Sequence, residues 1–167
     1  QSPGLCADGS KLTGICYDNK SPRQDRGRKA REMDIRCGID VIRIDRIHRA
    51  VERLGQPFLD RVWTAGEQSY CRTARQPLSG ASCASLAARF AAKEAIAKAL
   101  GSGIGRDGIR WTDLAICPDP SGQPLAQLSG PARTRFLSLG GTKICLSLTH
   151  DGNLAIAQCV LLCENAP

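Results

Sequence analysis

The stretch "RFAAKEAIAKALGSGIG" (residues 89–105) decides how this chain can fold. It predicts an alanine-rich helix from about residue 85 to residue 100, followed by a loop with glycine at every second position. Lys93, Glu94 and Lys98 lie in the middle of this helix. Glycine loops end helices, and their backbone can approach phosphate groups closely. The question is why a helix that should pack against a core carries three charges and then opens into glycines.

Glu94 borders the apolar stripe of this helix, because Phe90, Ala91, Ala97 and Lys98 lie three or four residues from it. The simplest interpretation is a surface ion pair between Glu94 and Lys98, which would contribute only about 0.2–0.5 kcal/mol. A carboxylate sheltered by Phe90 and alanines would be costly to bury unless it met a cation. The helix alone does not decide between these two interpretations.

The segment "IRCGIDVIRI" (residues 35–44) alternates and predicts a strand with one buried face. The residues expected on that face are Ile35, Cys37, Ile39 and Val41. Asp40 is then expected to point off the apolar face, and Gly38 beside it leaves room for a close approach. From this segment alone, Asp40 could equally be an ordinary solvent-facing residue.

Helical spacing replaces the alternation after residue 44, and Gly55 stands just past the predicted end of the helix. Its apolar face consists of Ile44, Ile47, Val51 and Leu54, and a second stripe consists of Arg46, Arg49 and Arg53. This basic stripe is either a solvated face or a docking surface for an acidic helix.

Thr64 and Glu67 form a capping box, which predicts the start of another helix. The later predicted elements are a loop at 76–82, a strand–turn–strand unit over 114–128, a short helix from Pro131, and a hairpin of strands 143–149 and 154–162. His150 stands at the mouth of this hairpin, where a histidine can also be just a polar surface residue.

Length and composition favour one folded domain in a chain of 167 residues. Residues 35–167 hold 16 basic and 11 acidic residues, so most of the net charge of +7 lies there and an anionic partner is expected. The nine cysteines form no C-x-x-C pair, which disfavours structural zinc and favours scattered reduced core thiols. The longest apolar run is far too short to span a bilayer.

Residues 1–34 differ from the rest, because they are rich in Gly, Ser, Lys, Arg and Asp without any sustained period. The only methionine, Met33, directly precedes the first periodic segment. These residues are therefore either a non-native leader upstream of a start at Met33 or a flexible tail, and a protein beginning at Met33 is expected to remain active.

Five segments together resemble the holo-[acyl-carrier-protein] synthase family, the short 4′-phosphopantetheinyl transferases. They are "GIDVIRIDRI" (38–47), "RVWTAGEQSYC" (61–71), "ARFAAKEAIAKALGSGIG" (88–105), "LAICPDPSGQPLAQLSG" (114–130) and "LSLTHDGNLAIAQCVLL" (146–162). The resemblance covers about residues 35–163, which is the expected transferase domain. It rests on the order and spacing of all five segments, since no single one is specific enough.

The resemblance implies an α+β fold, in which helices pack on a small antiparallel sheet. It implies transfer of 4′-phosphopantetheine from coenzyme A to a serine of apo acyl carrier protein, with release of adenosine 3′,5′-bisphosphate and with Mg²⁺ as cofactor. It further implies a cytoplasmic protein of fatty acid biosynthesis, a homotrimer with active sites between protomers, and no nucleic-acid or membrane partner.

The family's metal-binding carboxylates fall on Asp40 and Glu94, either of which could be the general base, and its phosphate-binding lysine falls on Lys98. The remaining positions implied for coenzyme A binding are Arg89, Gly101, Gly103, Ser147 and His150. The carrier protein is expected to dock on the Arg46, Arg49 and Arg53 stripe, of which only Arg46 matches a family contact. Pro57 stands where related chains can carry a basic residue, so this interface is expected to differ in detail.

Two other functions are less consistent with the sequence. A small basic nucleic-acid-binding module is disfavoured, because the folded part has few aromatic residues, dispersed arginines and no recognisable nucleic-acid motif. A broad-specificity transferase for polyketide or peptide carriers usually has about twice this length and an internal repeat, which this sequence lacks.

Overall fold

The computed structural model describes residues 33–71 and 80–164, so the predicted leader up to residue 32 lies outside the described residues. In chain order the elements are β1 (Met33–Arg43), α1 (Ile44–Val62), α2 (Ala65–Cys71), α3 (Gly80–Leu100), β2 (Leu114–Pro118), β3 (Pro124–Leu128), α4 (Gly130–Ser138), β4 (Gly141–Asp151) and β5 (Leu154–Glu164). Two short 3₁₀ turns, Arg106–Gly108 and Trp111–Asp113, precede β2.

Strands β1, β5 and β4 form an antiparallel sheet in that order, and β2 pairs with β3 in a separate antiparallel hairpin. Helices on an antiparallel sheet make this an α+β fold, as the sequence predicts. Asp40 on β1 lies opposite Ala157 on β5, which lies opposite Leu148 on β4. This register fixes which side chains share each face of the sheet.

Helix α3 packs across β1 and β5 and is buried on nearly all sides. Its alanines, including the fully buried Ala91, Ala92 and Ala95, let the helix backbone approach the sheet closely. At the closest point a Cβ on Gly38 would collide with the carbonyl oxygen of Ala95. The close approach expected at Gly38 is therefore made by α3.

The predicted buried face of β1 is wrong. Ile35, Ile39 and Val41 are 62%, 58% and 52% exposed, and Cys37 is also exposed. The face toward α3 carries the alternate residues instead, because the small Gly38 fits against the alanine-rich helix where large side chains would not. The sheet thus has an apolar outer face that the described part of the chain leaves uncovered.

The helices start and end near their predicted positions, with two differences. Helix α1 continues beyond Gly55 to Val62, but Gly55 interrupts it with a φ of 62°, so the break in the helix occurs where the sequence predicts its end. Leu54, predicted on the apolar face, is 46% exposed. Helix α3 begins at Gly80, five residues before its predicted start.

In the described ranges no helix is long and apolar enough to cross a membrane.

Candidate active site

Asp40 and Lys98 meet where the middle of β1 faces the last turns of α3. The Nζ of Lys98 donates hydrogen bonds to Oδ1 of Asp40, at 2.8 Å, and to the carbonyl oxygen of Ile39, at 2.7 Å. The Asp40 side chain is 18% exposed, whereas the Lys98 side chain is 51% exposed. Lys98 therefore reaches Asp40 from the solvent side, where a ligand can also approach it.

Glu94 lies one turn before Lys98 on α3 and is electrostatically coupled to the same pair. Burial raises the pKa of Glu94 above its usual value, and the charge of Asp40 raises it further, while Lys98 lowers it. The sequence-based alternative of a simple Glu94–Lys98 surface pair is wrong, because Lys98 donates to Asp40 instead. The two carboxylates together thus favour a nearby cation.

A cavity of about 610 Å³ opens beside Glu94, and it is called the Glu94 cavity below. Its wall comes from the segment after α3 and from the end of α1, and includes Arg61, Gly105, Ile109, Arg110, Trp111 and Thr112. It combines two carboxylates, Asp60 and Glu94, with two guanidinium groups and an indole ring. The arginines suit anionic oxygens of a ligand, and the indole suits a flat apolar part.

The glycines after α3 turn the chain toward this cavity. Gly101, Gly103 and Gly105 have φ values of 72°, 75° and 82°, a region that side chains with a Cβ rarely adopt. The amides of Ser102 and Gly103 both donate to the carbonyl oxygen of Ala97, which ends the helix. Alternate glycines are thus required by the backbone of this loop.

Asp40 and Glu94 fit a hard divalent cation. Two carboxylates with solvent access can hold Mg²⁺, which prefers oxygen ligands and keeps several waters. The described residues contain no group of three or more His, Cys, Asp or Glu side chains that could enclose a metal. This donor set is typical of magnesium held jointly with a phosphate ligand rather than of zinc.

Arg89 does not join these residues within one chain. It lies five residues before Glu94 and so about 140° around α3 from it, at 3.6 residues per turn. Its guanidinium carbon sits 4.5 Å from the centre of the Tyr70 ring, and Nη1 donates to the carbonyl oxygen of Ser85. Its Nε is buried and has no hydrogen-bond partner among the described residues.

Ser147 and His150 lie on β4, which β5 separates from β1 in the sheet. Leu148 aligns across β5 with Asp40, on the face of the sheet toward α3. The adjacent Ser147 therefore projects from the outer face, where it is exposed. His150 is exposed near the end of β4, opposite Ala155. The structure therefore gathers Asp40, Glu94 and Lys98, with Gly101 and Gly103 in the loop directly after them, but not Arg89, Ser147 and His150.

A second cavity, of about 640 Å³, runs along α1 and is called the basic groove below. Its rim carries Arg46, Arg49, Arg53 and Arg61, and its floor includes Phe58, Phe90 and Trp111. The predicted arginine stripe thus borders an apolar depression rather than a plain solvated face. Arg61 and Trp111 also line the Glu94 cavity, so the two cavities adjoin.

Sequence reasoning missed Trp111 and a buried ion pair behind it. Lys93 and Glu67 are fully buried, and Nζ of Lys93 lies 2.9 Å from Oε2 of Glu67. The capping box correctly identified Glu67 as the partner of the Thr64 backbone amide. Nothing in the sequence indicated that its carboxylate also meets a lysine from α3.

Comparison with known proteins gives one consistent family. Residues 36–159 match the model of the 4′-phosphopantetheinyl transferase superfamily. Over 129 residues the chain is 46% identical to a holo-[acyl-carrier-protein] synthase of Trichlorobacter lovleyi, covering 77% of this chain and 98% of the relative.

Solved structures agree with this match. The holo-[acyl-carrier-protein] synthase of Helicobacter pylori, in complex with coenzyme A, superimposes with a TM-score of 0.64 at 32% identity, covering 75% of this chain and 98% of that one. The corresponding Bacillus anthracis protein, in complex with coenzyme A (3′,5′-ADP), gives a TM-score of 0.62 at 29% identity, covering 81% and 100%. The family resemblance seen in the five segments is confirmed.

Proposed function

The chain belongs to the holo-[acyl-carrier-protein] synthase family of 4′-phosphopantetheinyl transferases, and from this membership we propose a specific reaction for it. It transfers 4′-phosphopantetheine from coenzyme A to a serine of apo acyl carrier protein and releases adenosine 3′,5′-bisphosphate, with Mg²⁺ as cofactor. The observation that carries this proposal is the meeting of Asp40, from β1, with Glu94 and Lys98, from α3, beside a cavity of about 610 Å³.

Asp40 and Glu94 would hold the metal. When bound, Mg²⁺ neutralises charge on the pyrophosphate oxygens, which is the main requirement for cleaving a phosphoanhydride. The carboxylates supply hard oxygen ligands from two elements that are far apart in sequence. Burial raises the pKa of Glu94, which indicates a carboxylate that gains from a nearby cation.

Lys98 provides an exposed positive charge at the site. Its exposed ammonium donates to Asp40, and a phosphate oxygen of coenzyme A can take over one of these bonds. The rigid helix α3 keeps Glu94 and Lys98 one turn apart, so both can act on the same phosphate region. The loop with Gly101 and Gly103 lets the chain turn beside the cofactor.

Glu94 is the better placed of the two carboxylates to accept the serine proton. It lines the cavity that we assign to coenzyme A, whereas Oδ1 of Asp40 already accepts a hydrogen bond from Lys98. A serine entering this cavity would approach Glu94 first. The serine oxygen would bond to the β-phosphorus as its proton passes to Glu94. The bond from that phosphorus to the bridging oxygen breaks, and the oxygen leaves on the α-phosphate of adenosine 3′,5′-bisphosphate.

A homotrimer, which the family resemblance implies, would complete the site, and two observations support association between copies of the chain. Arg89 faces away from Glu94 within one chain, and Ser147 lies on the outer face of the sheet. That outer face is apolar and exposed at Ile35, Ile39 and Val41. A second copy packed on this face would cover it, and could present residues such as Arg89, Ser147 and His150 to a neighbouring coenzyme A. Sedimentation equilibrium tests this, with Ile39→Asp expected to yield monomers that lack activity.

The basic groove is where we propose that the carrier protein docks. Arg46, Arg49 and Arg53 suit an acidic helix, and the aromatic floor suits its apolar side chains. Because the groove adjoins the Glu94 cavity, a serine at the end of a docked helix could reach the coenzyme.

Since coenzyme A and acyl carrier proteins serve fatty acid biosynthesis, we place the enzyme in the cytoplasm and in that pathway.

Mass spectrometry of the carrier tests the reaction. The protein is incubated with coenzyme A, Mg²⁺ and an apo acyl carrier protein, and a parallel sample contains a carrier whose acceptor serine is replaced by alanine. We expect the first carrier to gain one phosphopantetheine, with an equal amount of adenosine 3′,5′-bisphosphate, and the second to stay unchanged. An unmodified carrier that a known synthase converts in the same buffer would contradict the proposal.

A further inference from the structure

The Lys93–Glu67 ion pair is fully buried, and its hydrogen-bond partners among the described residues come from three different parts of the chain. Oε2 of Glu67 accepts hydrogen bonds from Nζ of Lys93, at 2.9 Å, and from the amide and hydroxyl of Thr64, at 2.9 and 3.0 Å. Oε1 accepts from the amide of Ile116, at 3.1 Å. The carboxylate therefore joins α2 to the middle of β2, and its charge makes the burial of a lysine possible.

Lys93 extends this network to the wall of the two cavities. Besides Glu67, its Nζ donates to the carbonyl oxygen of Trp111, at 3.0 Å. The Trp111 ring packs against Phe90, with the ring centres 4.4 Å apart, and lines both the basic groove and the Glu94 cavity. One buried ammonium thus ties α3, α2 and the Trp111–Asp113 turn together.

An apolar pair could fill the same space without the desolvation of two charges, and buried ion pairs are often no more stabilising than such replacements. What an apolar pair cannot do is hold a backbone carbonyl in place. Burial lowers the pKa of Lys93 and Glu67 opposes this, so the carboxylate favours the charged donor that Trp111 requires. Lys93 itself is fully buried and is not among the residues that line either cavity, and its hydrogen bond to the Trp111 carbonyl connects it to a residue that lines both.

We propose that Lys93, with Glu67 as its counterion, is a positioning residue that fixes Trp111 as the wall of the coenzyme A cavity. This inference rests on the proposed function of that cavity. Without the hydrogen bond, the Trp111–Asp113 turn would shift relative to Glu94, and the coenzyme would lose part of its binding surface. The expected consequence is weaker coenzyme A binding in a protein that remains folded.

The test uses the full chain with Glu67→Gln and Lys93→Met together. The first change keeps a side-chain oxygen for the Ile116 amide, and the second fills the space of the lysine without a donor for Trp111. We expect the KM for coenzyme A to rise at least about fivefold at a temperature well below unfolding. Thr64→Ala is the matched control, because it removes a hydrogen bond to Glu67 but leaves the Lys93–Trp111 bond, and its KM should equal that of the wild type.

Tryptophan fluorescence supplies a readout besides activity. Trp63 and Trp111 are the two tryptophans of the chain, so the Trp63→Phe protein reports on Trp111 alone. In that background the Lys93→Met, Glu67→Gln protein should show a shifted emission maximum before any ligand is added, and Thr64→Ala should not. If the double variant is insoluble, Glu67→Gln with Lys93→Leu gives the same test, since leucine also lacks a donor for the Trp111 carbonyl.

The outcomes separate the two proposals. A wild-type protein without transferase activity contradicts the proposed function whatever the variants do. An active wild type, together with a double variant that is less stable but has an unchanged KM and unchanged Trp111 emission, overturns the inference and leaves the pair a purely structural feature. A raised KM with shifted emission supports it.

Discussion

Helix α3 carries two lysines, five residues apart, that each pair with a carboxylate. The nitrogen–oxygen distances of the two pairs are nearly equal, but one pair is buried and the other is partly exposed to solvent. Lys93 lies 2.9 Å from Glu67, and both side chains are fully buried. Lys98 lies 2.8 Å from Asp40, but its side chain is 51% exposed. The buried pair can exchange its partners only if the fold opens. The exposed pair can exchange them with a ligand, so distance alone does not indicate what an ion pair does.

The largest expected effect comes from breaking the buried pair. Lys93→Met alone should lower the free energy of unfolding by about 3–5 kcal/mol, because it leaves the Glu67 carboxylate buried without its cation. The matched change Lys98→Met should cost at most about 1 kcal/mol, because its pair faces water. Urea unfolding at one fixed protein concentration measures both values. Equal losses in the two variants would contradict the comparison.

The exposed end of the helix should instead control turnover. Glu94→Gln and Asp40→Asn should each lower kcat at least about 100-fold, which corresponds to about 2.7 kcal/mol of barrier. Their folds should survive, because neither side chain is part of the apolar core. Steady-state kinetics at several magnesium concentrations checks this. Near-normal turnover of Glu94→Gln at limiting magnesium would contradict its assignment as a metal ligand.

A smaller effect should appear in the pH dependence of stability without added metal. The folded protein raises the pKa of Glu94 above its ordinary value of 4.5, mainly through burial, so folding favours the protonated form. This contribution to stability is complete below about pH 4.5 and is lost as the pH rises through the raised pKa. Wild type and Glu94→Gln should therefore be similarly stable at low pH, with the variant the more stable at neutral pH.

Thermal unfolding of both proteins between about pH 4 and pH 8 measures this difference. Asp40→Asn serves as the control, because removing the neighbouring negative charge should reduce the loss of stability with rising pH while Glu94 remains. A gap between wild type and Glu94→Gln that is the same at every pH would show that Glu94 does not have a raised pKa.

The smallest effect is expected from charges that lie wholly on the surface. Arg46→Glu should raise the KM for the carrier protein and leave the KM for coenzyme A and kcat nearly unchanged, since rim charges act mainly on association. Wild-type activity at low carrier concentration should also fall with salt, because exposed charges are screened over roughly 10 Å at 0.1 M. Kinetics with each substrate varied in turn separates these effects, and a fall in kcat alone would place Arg46 in the active site.

The sequence predicts most of the fold, because its signals are local. The alternation in β1, the Thr64–Glu67 capping box and the final hairpin all mark their elements correctly. The prediction of the buried face of β1 was wrong because tertiary packing, and not local alternation, decides which face meets α3. Apolar alternation shows which face avoids water, but in this chain the face against α3 is set by Gly38 and the alanines of the helix.

The sequence predicts only part of the candidate site, because the site also depends on packing between distant segments. Asp40, Glu94 and Lys98 come together because β1 and α3 pack at Gly38, which the sequence indicates only as room for a close approach. Lys93 was missed because lysines are almost never fully buried, and its partner lies 26 residues away. Arg89, Ser147 and His150 stay apart from Glu94 within one chain, so their assignment depends on a neighbouring copy and stays a prediction.

Direct metal binding tests the central claim that Asp40 and Glu94 share one cation. Mn²⁺, used in place of Mg²⁺, is titrated into the protein with coenzyme A present, and the free ion is followed by electron paramagnetic resonance. We predict that Asp40→Asn and Glu94→Gln each weaken binding at least about tenfold, which corresponds to about 1.4 kcal/mol, while Arg46→Glu binds like the wild type. Wild-type affinity in both carboxylate variants would contradict the account.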